Sequence, residues 1–260
     1  MIYKYIKYPE IPHLALVPEI LNQNVKIFEK LDGGNCQLRK INYRVLCGSR
    51  AHYIDDKNKS RVWWFSDFLH WAMANKSLYN MPEEIVIFGE WLAKHTLEYK
   101  LENQDKFYML DIFDLNTERF LDYDDAIQLV KKYELKDINI LRTLLQGKVS
   151  FEEIKKLTQK SSYRDGPPEG VVVKDYPNQR FAKLWTRSIK TEGDLYSEYL
   201  QQAFFSILES GRPLNRKLLE KEVRKNLENQ KINYNENALR NFIEANYSSL
   251  INKLPNSRKE

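Results

Sequence analysis

The sequence predicts an α+β fold, with antiparallel sheets flanked by helices and a small all-helical domain at the C-terminal end. Three observations predict it. Short β-branched and aromatic runs recur between residues 25 and 186, separated by glycine, proline and asparagine turns. Helical apolar spacing appears between those runs at 61–79, 122–135 and 150–163. From about residue 191 onward only helical spacing remains, which places two domains at 1–190 and 191–260.

Taken in order, residues 1–24 form an irregular entry broken by Pro9, Pro12 and Pro18. Val25 to Lys30 is a strand, ended by the turn Leu31-Asp32-Gly33-Gly34. Asn35 to Ile41 and Tyr43 to Ser49 continue as a meander that turns at Asn42. In 61–79, Val62, Phe65, Leu69 and Met73 fall near helical spacing and predict one buried face. His70 and the tryptophans there read as packing, and His95 as a loop residue. Glu84 to Leu92 and Lys106 to Leu115 are buried-type strands. Gly89 inside the first marks a bulge or a close backbone approach.

Acidic residues open the helix at 122–135 and lysines close it, as the helix dipole favours. Ser150 and Glu153 form a capping box for a helix running to about Tyr163. After the turn Asp165-Gly166-Pro167-Pro168, Glu169 to Lys174 is a strand. Pro177-Asn178 turns the chain, and Arg180 to Thr186 pairs back, with Phe181, Lys183 and Trp185 on one face. Residues 193–210, 213–230 and 236–253 read as three helices.

Composition narrows the function classes. No apolar run approaches the ~20 residues of a membrane-spanning helix, and the first residues show no secretory leader. Cys36 and Cys47 have no metal-binding neighbours at suitable spacing, so two reduced, half-buried thiols in a cytoplasmic protein are expected. The net charge of +5 lies entirely in residues 211–260, which hold 11 basic and 6 acidic side chains. A basic appendage on a neutral body points to a polyanionic partner, weighed against a merely solvated helical face.

Lys30 ends a strand and is followed by Asp32 and two glycines. A lysine so placed is a candidate covalent nucleophile, although Lys-x-Asp-Gly alone carries little information. The rest of the chain adds Ser49-Arg50, Phe88-Gly89-Glu90-Trp91, the strand at Phe107–Asp111, Glu169-Gly170-Val171-Val172-Val173-Lys174 and Ala182-Lys183-Leu184-Trp185. In this order and spacing they resemble the motif series of the covalent nucleotidyltransferases, the polynucleotide ligases and mRNA capping enzymes. The RNA ligase 2 type is the closest likeness, and the stretches at 7–14 and 88–99 add to it. The resemblance covers about residues 25–190.

The resemblance implies a nucleotidyltransferase (adenylation) domain at 1–190, with basic helices in place of an OB-fold. It implies an ATP-dependent RNA ligase that uses Mg2+, or Mn2+ in its place, to join 5′-phosphate and 3′-hydroxyl RNA ends. Carried over by position, Lys30 becomes lysyl-AMP and Asp32 organises the site around the nucleotide. Arg50 contacts a phosphate, Glu90 accepts from the ribose 2′-hydroxyl, Glu169 sits near the metal, Lys183 grips the α-phosphate, and Lys174 contributes a weaker contact. Leu110 stands where the family stacks an aromatic on adenine, and Tyr108 shares its parity. Trp185 stands where a second lysine is usual, with Arg187 or Lys190 as replacements.

The implied partner is RNA, held at the site and by the C-terminal helices of a monomer, away from membranes. Free lysine is only about 0.04% neutral at pH 7. Arg50, Lys174, Lys183 and the metal are therefore the cations expected to lower the Lys30 pKa. A minimal DNA ligase, a GTP-using capping enzyme and an inactive nucleic-acid-binding scaffold are the rival readings.

Overall fold

The computed structural model describes residues 4–14, 17–55, 64–93, 97–186, 196, 199–200, 203–204, 207, 213–229, 232 and 234–252. The chain divides into two compact units, Met1–Pro12 with Glu19–Thr186, and His13–Pro18 with Arg187–Glu260.

The first unit carries two sheets. Its strands are β1 (Val25–Lys30), β2 (Gly34–Ile41), β3 (Arg44–Ser49), β4 (Ile85–Trp91), β5 (Phe107–Asp114), β6 (Arg119–Phe120), β7 (Ile138–Ile140), β8 (Thr143–Gly147), β9 (Gly170–Asp175) and β10 (Arg180–Trp185). One sheet runs β10-β9-β1-β8, and the other runs β3-β2-β4-β5-β6 with β7 added parallel to β5. The predicted strands all form, within a residue or two at their ends. β6, β7 and β8 were not predicted. They are short, and only Ile138 among their residues is buried, so the sequence shows no one-sided apolar alternation there.

Alternation gives each sheet two faces. One face of the larger sheet carries Cys36, Gly89, Trp91, Phe107 and Met109. Helix α1 (Phe65–Ala74) covers it, with Trp71 stacked 5.3 Å from Phe107 and Phe68 5.7 Å from Trp91. Gly34 belongs to this face because a Cβ there would run into the Trp64 ring. α1 is shorter than the predicted 61–79. Asn75 ends it by accepting from the Ser77 N–H and donating to the Lys136 carbonyl. Val62 lies outside the described residues.

The opposite face carries Asn35, Gln37, Phe88, Glu90 and Tyr108, and it meets the smaller sheet. There Lys26, Phe28, Lys30, Val172, Lys174, Phe181 and Lys183 share one side. Phe120 packs 5.2 Å from Phe181 across the gap. Helix α2 (Tyr123–Lys132), capped by Asp122, sets Tyr123 4.5 Å from Phe28. Helix α3 (Phe151–Leu157) has its capping box but stops well before Tyr163. Beyond it the Ser161 hydroxyl and the Ser162 N–H donate to Glu29, on the reverse side of β1. Cys36 and Cys47 are free thiols, as expected, and both are buried where half-burial was expected.

In the second unit, helices α4 (Arg216–Asn229) and α5 (Glu236–Asn252) share a core with Tyr196, Tyr199, Leu200, Ala203, Phe204 and Ile207, which are helical and spaced by three or four residues. The rest of the predicted helix at 193–210 lies outside the described residues. Part of the basic charge is offset by neighbouring carboxylates. Arg216 pairs with Glu220 and Glu244, and Arg224 with Glu220 and Glu236. Among the described residues no helix is long and apolar enough to cross a membrane.

Candidate active site

β1 delivers Lys30 at its last position, directly opposite Gly170 of β9. Any side chain at Gly170 would strike the Leu184 carbonyl, so β9 and β10 close together only with glycine there. The Thr186 N–H holds the Glu169 carbonyl at 2.9 Å. Glu169 then reaches back over the strand start, and its Oε2 lies 2.6 Å from the Lys30 ammonium. The Lys30 side chain keeps 26% exposure and Glu169 10%, so the amine is anchored yet reachable.

The turn after β1 is tied down on both sides. The Gly33 N–H donates to Glu90 Oε1 at 3.0 Å. The Asp32 N–H donates to the Tyr99 hydroxyl at 2.7 Å, and Asp32 Oδ2 accepts from the Leu97 N–H at 3.0 Å. Asn35, Glu90 and Tyr108 form one transverse row across β2, β4 and β5. Asn35 Oδ1 is buried in that row without a hydrogen-bond partner, a costly state that a bound polar group would relieve.

Sequence reasoning gave no role to Asn35, Tyr99 or Glu29. Asn35 carried a local signal, as a polar residue at the start of a buried strand beside the glycine turn. Tyr99 is placed only by tertiary packing.

Lys183 lies on the same side of its sheet as Lys30, with its ammonium 4.4 Å from the Trp185 ring centre. Tyr108 donates to Asn103 at 3.1 Å and meets Tyr163 edge-on at 5.4 Å. Arg50 follows the end of β3, half exposed, 3.7 Å from Glu10. Arg187, Lys190 and His95 lie outside the described residues.

Two expectations need correction. Lys174 is not open to a phosphate. Its ammonium is buried, donating to Asp111 Oδ2 at 2.7 Å and to the Leu110 carbonyl at 2.8 Å, over the Phe28 ring. Asp111 also accepts from Tyr8 and Tyr176, so Lys174 is a strut joining the two sheets. Its relation to Glu169 follows from β9 starting at Gly170, one residue after Glu169, so strand alternation never included that carboxylate. Leu110 cannot stack on a base. It is the extra residue of a bulge between the Phe88–Asp111 and Gly89–Met109 pairs, and it packs with Tyr8 and Phe88. The bulge puts Asp111 on the same face as Tyr108.

The electrostatics also reverse an expectation. Burial alone would lower the Lys30 pKa, but Glu169, Glu90 and Asp32 outweigh it and the pKa is raised. Burial pushes Glu90 up to about 7, with Lys30 pulling it down and Glu169 pushing it up. The resting amine is therefore a protonated partner of carboxylates. Among the described residues no group of three or more His, Cys, Asp or Glu could hold a metal ion. Glu169 fits a different metal chemistry, a magnesium-type ion that keeps several waters and takes one carboxylate plus phosphate oxygens.

A family model for RNA ligases matches residues 23–191. The chain belongs to the RNA ligase family. A search of curated proteins finds no match. Among solved structures, a ligand-free variant of Naegleria gruberi RNA ligase is 18% identical with a TM-score of 0.55, covering 70% of this chain and 56% of that one. A variant of the same ligase with ATP and Mn is 16% identical with a TM-score of 0.56, covering 71% and 57%. The ligase with PPi is 18% identical with a TM-score of 0.53, covering 76% and 58%. At these identities the likeness shows the fold, the α+β architecture of the RNA ligases. This chain spans a little over half the length of those proteins.

Proposed function

We propose that this protein is an ATP-dependent RNA ligase that joins 5′-phosphate and 3′-hydroxyl ends through a covalent Lys30–AMP. The observation that carries the reading is the Lys30–Glu169 pair, a reachable amine at a strand end with a carboxylate 2.6 Å away. The Lys30 amine, its proton released to water, attacks the α-phosphorus of ATP. The bond to the bridging oxygen breaks, and pyrophosphate leaves. The AMP then passes to an RNA 5′-phosphate. Finally an RNA 3′-hydroxyl attacks that phosphate and AMP departs.

Around this path, Lys183 neutralises α-phosphate oxygens, Glu90 accepts from the ribose and Asp32 fixes the turn, while Tyr108, buried against Tyr163 and bonded to Asn103, backs the row that carries Glu90. The unpartnered Asn35 Oδ1 adds a polar contact in the same row. A divalent ion, when bound, neutralises phosphate charge and orients the leaving pyrophosphate. Variants of the Naegleria gruberi ligase have been solved with ATP and Mn and with AMP and Mn, and the ligase with PPi, which matches a first step that consumes ATP and releases pyrophosphate.

Intact-protein mass spectrometry after incubation with ATP and Mg2+ tests the reading. A species heavier by one AMP, absent in Lys30→Ala, is the expected result. An adduct from GTP but not ATP points to capping chemistry instead, and sealing that survives Lys30→Ala sinks the covalent path.

A further inference from the structure

The hairpin tip between β2 and β3 is built against local preference. Its turn residues are Asn42 and Tyr43, and both have positive φ, 47° and 62°. Glycine or asparagine suits such a position, whereas a tyrosine there is strained. Nothing in the core repays the strain, because Tyr43 is 85% exposed. An aromatic ring held in water at a backbone cost motivates a search for a partner.

The neighbouring turn supplies matching chemistry. Tyr79, 49% exposed, sits in the 3-10 turn Lys76–Asn80, which is tied to the hairpin by the Lys40 ammonium on the Tyr79 carbonyl at 2.9 Å. That turn is also joined to the end of α2, by Asn80 on the Tyr133 carbonyl and Ser77 with Lys136. Lys76, Lys131, Lys132 and Lys136 are all exposed around it. Acidic groups are present too. Glu83 accepts from the Tyr43 N–H at 3.3 Å, and Glu84, Glu134 and Asp137 lie on the flanking turns.

We propose that Tyr43 and Tyr79, with Lys40 and Lys76, form a second contact site for the RNA strand, stacking unpaired bases at a distance from the reacting end. Exposed aromatics interleaved with lysines suit single-stranded RNA, whose bases offer ring faces and whose backbone needs cations. The inference rests on the ligase reading. β2 joins the two sites directly. Asn35 lies at its active-site end and Tyr43 eight residues further on, a span of roughly 26 Å at the rise of a strand. A stacked strand advancing about 3.4 Å per nucleotide covers that span in about eight nucleotides.

The test uses Tyr43→Gly in the full chain, with Tyr79→Ala as a second variant. Glycine relieves the turn, so the melting temperature of Tyr43→Gly should hold or rise by about 2–4 °C. ATP-dependent adduct formation should be unchanged in both variants. Affinity for single-stranded RNA, read by fluorescence anisotropy, should fall about 5- to 30-fold for a 20-mer and stay unchanged for a 5-mer.

Equal affinity of wild type and both variants for the 20-mer overturns the proposal, as does an equal loss for the 5-mer. If sedimentation shows that wild type self-associates and Tyr43→Gly does not, the tip is a protein interface and the proposal fails. Because anisotropy needs no ATP, absence of a wild-type AMP adduct would fault the ligase reading separately.

Discussion

At the residue scale, the site is a small set of charges that hold one another in check. Lys30 is kept protonated by Glu169, Glu90 and Asp32 against the effect of burial. Glu169→Gln removes the nearest of these. The Lys30 amine should then deprotonate more readily and be acylated faster by an amine-reactive reagent at pH 8, read by peptide mass spectrometry. The same variant should form little AMP adduct. Unchanged Lys30 labelling would show that Glu169 does not hold the proton there.

Glu90 gives a pH signature. Its folded pKa of about 7 lies above the ordinary 4.5, so the fold binds this proton more tightly than the unfolded chain does. That stabilisation is complete below about pH 4.5 and is lost as pH rises through about 7. Glu90→Gln, which cannot ionise, should therefore gain stability relative to wild type between pH 5 and pH 8.5, by roughly 2–3 kcal/mol before allowance for its partial exposure. Thermal melts at the two pH values check it, and a constant difference would contradict the assignment.

At the scale of elements, the two sheets are joined by a buried ion pair as well as by apolar packing. Lys174 of β9 and Asp111 of β5 are almost fully enclosed, with Tyr8 and Tyr176 completing the carboxylate's partners. Lys174→Met leaves Asp111 buried without its cation and should cost about 3–5 kcal/mol. Adding Asp111→Leu should recover part of that loss, and urea unfolding of the two single variants and the double variant measures it. Additive losses would mean that the pair acts only as bulk. Gly170→Ala should be at least as damaging, because the added carbon meets backbone and not a movable side chain.

For the whole molecule, the charge asymmetry in the sequence takes a more specific form. Arg216 and Arg224 are engaged by glutamates, while Lys217, Lys221 and Lys225 stand exposed one helical turn apart along α4. Lys225 has only a 4.0 Å contact with Glu222. Replacing all three lysines by glutamine should reduce the salt dependence of RNA binding by up to about two units of log–log slope if each meets a phosphate. Formation of the AMP adduct should not change. An unaltered slope would assign the RNA contacts to the sheet-bearing unit.

The sequence by itself determined the strands that carry the chemistry and the order of their motifs. Each of those strands is a buried run bounded by turn residues, a signal written locally in side-chain type and spacing. It also determined that Lys30, Asp32, Glu90 and Glu169 belong together, through the resemblance they carry as a series. Only the tertiary structure decided how they face one another. The pKa of Lys30 depends on carboxylates 2, 60 and 139 positions away in the sequence, and no local pattern encodes which charge lies nearest. The bulge at Leu110 and the burial of Lys174 were equally invisible, because register and pairing arise between strands and not within them. The edge strand β8 was missed for the complementary reason. It is held by backbone bonds to β1, and backbone bonds leave little trace in side-chain pattern.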